Sequence, residues 1–244
     1  MYCEGSVLTT GEIGAIEWPC ELTQALKDAL ISIAQPTNQI GEASTHGGIW
    51  TVKGVVYVVS GTVKLCLMSQ DASNLMGALM GPHDWVGAAS VDNDTNFSVY
   101  VEEVEPVQLL YFPANLVQKL CIEKPECYKW LFHCISRMQP KWFQAKLTSL
   151  HDKKLRVVYA LMSLASMSPK MAGVLPKIRI SQQQLSDVCG LSRPRVNGVL
   201  KSLEGEGSIQ VSRGAVQILD TAKLGHQLDD LNLTFHDPRA VVTR

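Results

Sequence analysis

The sequence predicts an α+β chain with an N-terminal β-roll, a long helix behind it and a C-terminal winged helix-turn-helix. Three observations predict this order. Residues 40–112 hold short runs rich in Val, Tyr, Thr and Ile, separated by glycine-containing turns, the texture of a compact β-roll or barrel. Residues 113–167 return to helical spacing of apolar side chains. Residues 182–201 then read as two short helices joined at a glycine.

Composition sets the frame. The chain has 244 residues, 46% hydrophobic and 18% charged, enough for one large or two modest cores. No apolar run reaches the roughly 18 residues that span a membrane. The N-terminus carries Glu4 and no basic segment leading into an apolar run, so a cytoplasmic protein without a secretory signal is expected. The cysteines number seven, and none forms a C-x-x-C pair. A disulfide framework is therefore a poor reading. The spacing of Cys121, Cys127 and Cys134 raises an iron–sulfur site as one reading, but buried thiols along a helix are the simpler expectation.

Charge is unevenly placed. Between His151 and Asp220 ten Lys or Arg face five acids, a net of +5, and the rest of the chain carries −6. That asymmetry suits a nucleic-acid-binding module joined to an acidic one.

Leu22, Leu26, Leu30 and Ile33 recur at helical spacing, so residues 19–35 are expected to form a helix stopped by Pro36. The β-rich part is read as strands at 49–52, 55–59, 63–67, 97–101 and 107–112. Ser60-Gly61 is read as a hairpin turn. A long helix follows, with Pro125 in its first turn. Its stripe is Tyr128, Leu131, Phe132, Ile135 and Met138, and Pro140 is expected to kink or break it. The stripe resumes through Phe143, Leu147, Leu150, Leu155, Val158, Leu161, Met162 and Leu164, more than one roll can cover. Dimerisation is the natural way to bury it. Ser168 to Lys177 is read as a loop. The expected layout is a roll over 1–120, a dimerisation helix over 121–152, a winged helix-turn-helix over 153–220 and a C-terminal extension over 221–244. In that extension Leu224, Leu228 and Leu231 indicate a short helix.

The sharpest signal is the stretch from Ser181 to Lys201. Ser181 is placed to cap a first helix whose inner face is Leu185, Val188 and Cys189. Ser186 is small enough for close helix approach, and Gly190 supplies a left-handed turn. Ser192 caps a second helix, with Pro194 tolerated in its first turn and Val196, Val199 and Leu200 inward. Arg193, Arg195, Asn197 and Lys201 are left outward. Arginine matches guanine O6 and N7, and asparagine matches adenine N6 and N7. Ser181, Gln182, Gln183, Ser192 and Lys201 suit phosphates, which set register without reading sequence. Strands around Ser212-Arg213-Gly214 read as a wing, with Arg213 at its tip. No His/Glu metal triad, nucleophile elbow or phosphate loop supports an enzyme.

These residues, with Val55 to Val63 in the roll and Ile180 to Ile209 in the winged motif, resemble the cyclic-AMP receptor protein and fumarate–nitrate regulator (Crp/Fnr) superfamily of bacterial transcription factors, over about residues 20–220. The resemblance implies a cyclic-nucleotide-binding-like roll, a homodimer on double-stranded DNA with a two-fold-related site, and work with RNA polymerase. It also implies an effector in the roll that reorients the DNA-binding domains through the central helix.

Two departures modify that expectation. Where cyclic-nucleotide binders of the family carry a Gly-Glu step and an arginine before a small residue, this chain reads Gly87-Ala88 and Phe97-Ser98. No Lys or Arg occurs between Lys64 and Lys119. A buried phosphate lacks its cation here, so a cyclic nucleotide bound in the family manner is not expected. Gly87, Ala88, Phe97 and Ser98, with Lys141 and Trp142 beside Pro140, mark the candidate effector pocket. No cofactor is predicted. Haem, for which His46, His83, His133 or a cysteine are available ligands, a small apolar ligand and thiol oxidation are the alternatives. In the second helix, Pro194 stands where many relatives have an acid and Gly198 where they have a second base-reading arginine. Arg195 is added, so the operator should differ from the well-known family sites.

Overall fold

Two long antiparallel strands build the first unit. In the computed structural model, which describes residues 16–38, 49–51, 53–67, 77–92, 98–168 and 174–242, strand β3 (Gly54–Leu67) runs against β6 (Ser98–Pro113) from Gly54↔Pro113 to Leu67↔Val99. Strands β1 (Gln35–Thr37) and β2 (Ile49–Thr51) add to β6. Strand β4 (Ala78–Met80) lies next to β3 in the sheet order, and β5 (Trp85–Val86) also pairs with β3. The six strands make one sheet.

Several expectations are corrected here. Ser60-Gly61 is not a hairpin turn. It lies inside β3, where the register to β6 shifts between Val58 and Val63. Gly61 has φ +82°, and a Cβ there would stand 2.1 Å from the Pro106 carbonyl oxygen. The dipeptide serves a bulge that bends a continuous strand, and a bulge uses the same left-handed glycine as a turn. The helix expected over 19–35 is shorter: α1 is Gln24–Ile33, because Thr23 caps it by accepting from the Leu26 amide. Pro36 belongs to β1 and not to a helix stop.

Helix α2 (Ala114–Glu123) follows β6 and packs on α1. Helix α3 (Glu126–Thr148) starts one residue after Pro125, whose carbonyl accepts from the Tyr128 amide. Pro140 does not break α3. A proline removes one N–H and crowds one carbonyl, which a helix held by packing on both sides tolerates. The expected apolar stripe divides in this chain: Leu131 and Met138 are buried, Ile135 is half-buried, and Tyr128 and Phe132 face outward. Cys127, Trp130, Leu131, Cys134 and Met138 are buried, whereas Tyr128 and Phe132 are 50% and 65% exposed.

The core of this unit is aromatic. The Trp85 ring lies 4.6 Å from Tyr57, 5.6 Å from Phe112, 5.5 Å from Trp130 and 5.7 Å from Trp18, centroid to centroid. Leu26, Leu30, Val55, Leu110 and Val117 close around them. The indole Nε1 of Trp130 is buried without a hydrogen-bond partner, and its ring packs at steep angles on Trp85 and Phe112. Burial pushes the thiols of Cys121, Cys127 and Cys134 up, so they stay protonated and pack as small apolar groups.

The chain divides into two compact units, residues 1–68 with 80–139, and residues 69–79 with 140–244. In the second, helix α4 (Lys153–Met167) is the central element. Asp152 caps it, and every residue from Val157 to Ala165 is buried. Against α4 pack strand β7 (Lys177–Ile178), helices α5 (Gln182–Cys189) and α6 (Arg193–Gly205), and the tail helices α7 (Thr221–His226) and α8 (Arg239–Val242). Strands β8 (Ile209–Ser212) and β9 (Ala215–Ile218) form a hairpin, and β7 pairs with β9. Leu224, Leu228 and Leu231 are buried. The buried Gln144 amide holds residues 232–236 by donating to the Asn232 carbonyl and accepting from the Phe235 and His236 amides. His46, Phe97, Pro169 and Gly173 lie outside the described residues. Among the described residues no helix is long and apolar enough to cross a membrane.

Candidate nucleic-acid interface

The site is built on α5, α6 and the β8–β9 wing. Helix α5 begins with a capping box: Ser181 Oγ accepts from the Gln184 amide at 3.1 Å, and Gln184 Oε1 accepts from the Ser181 amide at 3.0 Å. Leu185, Ser186, Val188 and Cys189 form its buried face. The small Ser186 donates to the Gln183 carbonyl, which leaves room for α6 to come close.

The turn ends α5 with two bonds. The Leu191 amide donates to Ser186 and the Gly190 amide to Asp187, while Gly190 takes φ 59° and ψ 40°. This pattern needs a left-handed residue, and glycine takes that conformation without strain. Arg156 of α4 completes the turn. Its guanidinium donates to the Cys189 carbonyl and, at 3.0 Å, to the Gly190 carbonyl. These are the carbonyls a helix C-terminus leaves without intrahelical donors, and a cation there also meets the negative end of the helix dipole. Burial, and more weakly the neighbouring Arg195 charge, pull the Arg156 pKa down from its ordinary value.

Helix α6 starts after Ser192, which has the cap conformation but makes no side-chain cap bond, and Pro194 sits in the first turn. Val196, Val199, Leu200 and Leu203 are buried. Ser192, Arg193, Arg195 and Lys201 are exposed. Asn197 differs from its expected outward position: it is half-buried, and its Oδ1 is buried without a hydrogen-bond partner. The reason is its place on the helix, one residue past Val196 and at the edge of the inward face.

An open groove of about 440 Å³ lies between the α5 start, the α6 start and the wing. Ser181, Gln182, Gln183, Arg193, Ser212 and Arg213 supply its polar rim, and Leu185, Leu200 and Val216 are part of its apolar lining. The groove thus brings together five of the nine residues assigned from sequence. Ser192, Arg195, Asn197 and Lys201 are not part of its lining. Arg193 borders the groove, and the exposed Arg195, outside its lining, stands close enough for Arg156 to feel its charge. Gln183 is partly occupied as well, since its amide donates to Asp187 at 3.0 Å.

Sequence reasoning missed the residues that hold this arrangement. Glu204 Oε1 accepts from the Val211 amide at 2.8 Å and ties α6 to the wing. Glu206 accepts from Lys154 at 2.9 Å, Ser202 at 2.9 Å and Gln227 at 3.0 Å, joining α4, α6 and the segment after α7. Those bonds, that of Lys154 first, hold its carboxyl below the ordinary range. Arg156 meets the Cys189 carbonyl 33 residues away and Glu206 meets Lys154 52 residues away, so no local spacing announces these two contacts.

The expected effector residues are distributed over both units. Gly87 and Ala88 are buried beside β5, where Gly87 opens a short 3₁₀ turn, and Ser98 begins β6. Lys141 and Trp142 stand half-buried on the part of α3 that belongs to the second unit. Lys141 borders a cavity of about 10 Å³ with Tyr159, Ser163 and His236, at the lower limit for one water. Of the proposed haem ligands, the Nδ1 of His83 is hydrogen-bonded to Tyr57 Oη at 2.9 Å, and His133 is half-buried on α3. Among the described residues no three His, Cys, Asp or Glu side chains gather as a metal site.

Comparison with known proteins places this geometry. Residues 155–226 match the Crp-like helix-turn-helix domain. The chain is 27% identical over 168 residues to the cyclic AMP receptor protein of Thermus thermophilus, covering 68% of this chain and 76% of that protein. Among solved structures it shares its fold with FixK2 from Bradyrhizobium japonicum, at TM-score 0.63 and 16% identity over 82% of this chain and 99% of the other. A crp/fnr-family regulator from Eubacterium rectale superposes at TM-score 0.62 and 15% identity, over 84% of this chain and 94% of the other. Fold, helix-turn-helix geometry and these similarities converge: residues 155–226 match a Crp-like helix-turn-helix domain, and the chain as a whole is similar to transcription regulators of the Crp/Fnr type.

Proposed function

We propose that the chain is a cytoplasmic homodimer that binds double-stranded DNA at a two-fold-related site, reads its sequence through α6, and regulates transcription together with RNA polymerase. The observation that carries this reading is the groove: Arg193 and Arg213 border it from the α6 start and the wing, beside the Gly190 turn that Arg156 pins. Arginine at a helix start can enter the major groove and donate two bonds to guanine, while Ser181, Gln182, Ser192 and Lys201 are suited to phosphates. Dimerisation is supported by the exposed Tyr128 and Phe132, one helical turn apart on α3. A second copy of α3 would bury them, and sedimentation of the full chain reads this directly.

The roll works without a cyclic nucleotide in this reading. Support comes from the missing acid and arginine at Gly87-Ala88 and Phe97-Ser98, and from the absence of Lys or Arg between Lys64 and Lys119. An effector of another kind would be haem, a small apolar ligand or thiol oxidation, and an absorption spectrum of the purified protein separates the first from the others. The DNA assignment is tested by selecting duplexes from a random pool. Changing Arg193 and Arg195 together to Ala is expected to abolish sequence preference, each good base contact contributing about 1–3 kcal/mol. Unchanged site selection by that double variant would refute α6 as the reading helix.

A further inference from the structure

We infer that residues 228–242 form a brace that fixes the angle between the helix-turn-helix and the end of α3, with Gln144 as the positioning residue that holds it. The inference rests on the DNA-binding reading proposed above. Helix α3 stops at Thr148 and α4 starts at Lys153, so residues 149–152 are all the main chain between them. The amides of Ser149, Leu150 and His151 donate back to α3, and Asp152 caps α4, so these bonds serve one helix or the other. The tie between the two helices comes from much later in the sequence. Gln144 is a fully buried polar side chain, which destabilises a fold unless its amide is hydrogen-bonded. Its Nε2 donates to the Asn232 carbonyl at 2.8 Å, and its Oε1 accepts from the Phe235 and His236 amides, each at 3.3 Å. The adjacent Phe143 ring meets Phe235 at 5.3 Å between centroids.

The same segment is fastened to α4. Leu228 and Leu231 are buried, and α7 and α8 both pack on α4. A Cβ at Gly225 would stand 3.4 Å from Arg239 Cδ and 3.8 Å from Met162 Cε, so α7, α8 and α4 close on one another there. Arg239 staples the segment by donating to Asp229 at 2.6 Å and to Asp237 at 2.8 Å. Just before it, Gln227 donates to the Glu206 carboxylate at 3.0 Å, at the end of α6. A small cavity bordered by Lys141, Ala145, Tyr159 and His236 marks where α3, α4 and this segment meet. The bracing residues lie past residue 226, where the match to the Crp-like helix-turn-helix domain stops. A dimer must present its two reading helices at the spacing of two half-sites. A free angle at residues 149–152 would spread each reading helix over many orientations, and affinity falls with the fraction that is binding-competent. A brace built into the chain pre-organises that orientation.

The test uses two variants of the full chain. Gln144→Leu keeps a side chain of similar size and removes all three bonds to residues 232–236. Phe235→Ala removes only a partly exposed ring. In both, amide hydrogen exchange over residues 147–153 and 228–242 should quicken by about tenfold or more, while α5 and α6 keep their protection. Affinity for duplexes that the unchanged protein selects from a random pool should fall roughly tenfold, as when about one molecule in ten stays binding-competent. Unchanged exchange over both regions in both variants overturns the inference, and so does undiminished affinity for the selected duplexes. Faster exchange throughout α5 and α6 overturns it as well, because Gln144 would then support the whole unit rather than its angle. If the unchanged protein selects no sequence at all, the DNA-binding reading fails, and the exchange result still decides whether residues 228–242 hold the α3–α4 connection.

Discussion

Between Lys64 and Lys119 the first unit has no Lys or Arg, and its interior is closed by Trp18, Tyr57, Trp85, Phe112 and Trp130. Between His151 and Asp220 the second unit has ten, and it leaves a groove of about 440 Å³ open among them. The two regions use the same physics for different ends. In the first unit, large apolar rings pack against one another and close the interior. In the helix-turn-helix unit, apolar side chains are confined to one face of each helix, and the cations on the other face have no competing core to satisfy. The comparison teaches that apolar side chains can close an interior in one unit and cover only one face of each helix in the other, and only the second arrangement leaves charged residues around an open groove.

The largest effect that sharpens the contrast is expected in the roll. Trp85→Ala removes the ring that touches four other aromatics and should cost about 3–5 kcal/mol in denaturant unfolding of the full chain. A loss below about 1 kcal/mol would mean that the cluster lines an adaptable pocket rather than a packed core, and the contrast would break. A smaller effect is expected at the turn. Arg156→Met leaves the Cys189 and Gly190 carbonyls without their donor and should cost about 2 kcal/mol, with DNA affinity falling in parallel because α6 loses its fixed angle. Stability loss with unaltered DNA binding would separate the turn from the reading geometry.

The smallest effect is the one that depends on pH. The Lys154 ammonium, with Ser202 and Gln227, holds the folded Glu206 carboxyl below its ordinary value. Its contribution is therefore present above the unfolded carboxylate pKa of about 4.3 and is lost as pH falls through the lowered folded value. Because the pair is partly solvated, Glu206→Gln should cost only about 1 kcal/mol at pH 7, seen as a melting temperature about 2–4 °C lower. Near pH 3 that difference should narrow. A difference that widens with acid would show that Glu206 is not ion-paired in the folded protein.

The helix-turn-helix was legible because its signals are local: a capping serine, a small residue, a turn glycine and inward apolar positions all fall within 21 residues. The same local reasoning went wrong at Ser60-Gly61, because a left-handed glycine is needed both by a hairpin turn and by a bulge, and only the register of β3 against β6 distinguishes them. On α3 it named a single stripe, whereas the structure buries Leu131 and Met138 together with Trp130 and Cys134 and leaves Tyr128 and Phe132 exposed, because hydropathy alone does not say which of two adjacent faces meets the chain's own core.

By itself the sequence determined the order of roll, long helix and winged helix-turn-helix, the placement of Gly190 at the turn, and the cations available to meet a duplex, since each follows from propensity and spacing over a few residues. Only the tertiary structure decided that Arg193 borders the groove while Arg195 lies outside it, that Arg156 and Glu206 brace the unit, and that Asn197 turns its carbonyl inward. The physical reason is range: a cap or a turn is fixed by neighbours in the chain, whereas the direction and partners of a charged side chain are fixed by elements tens of residues away that packing brings alongside it.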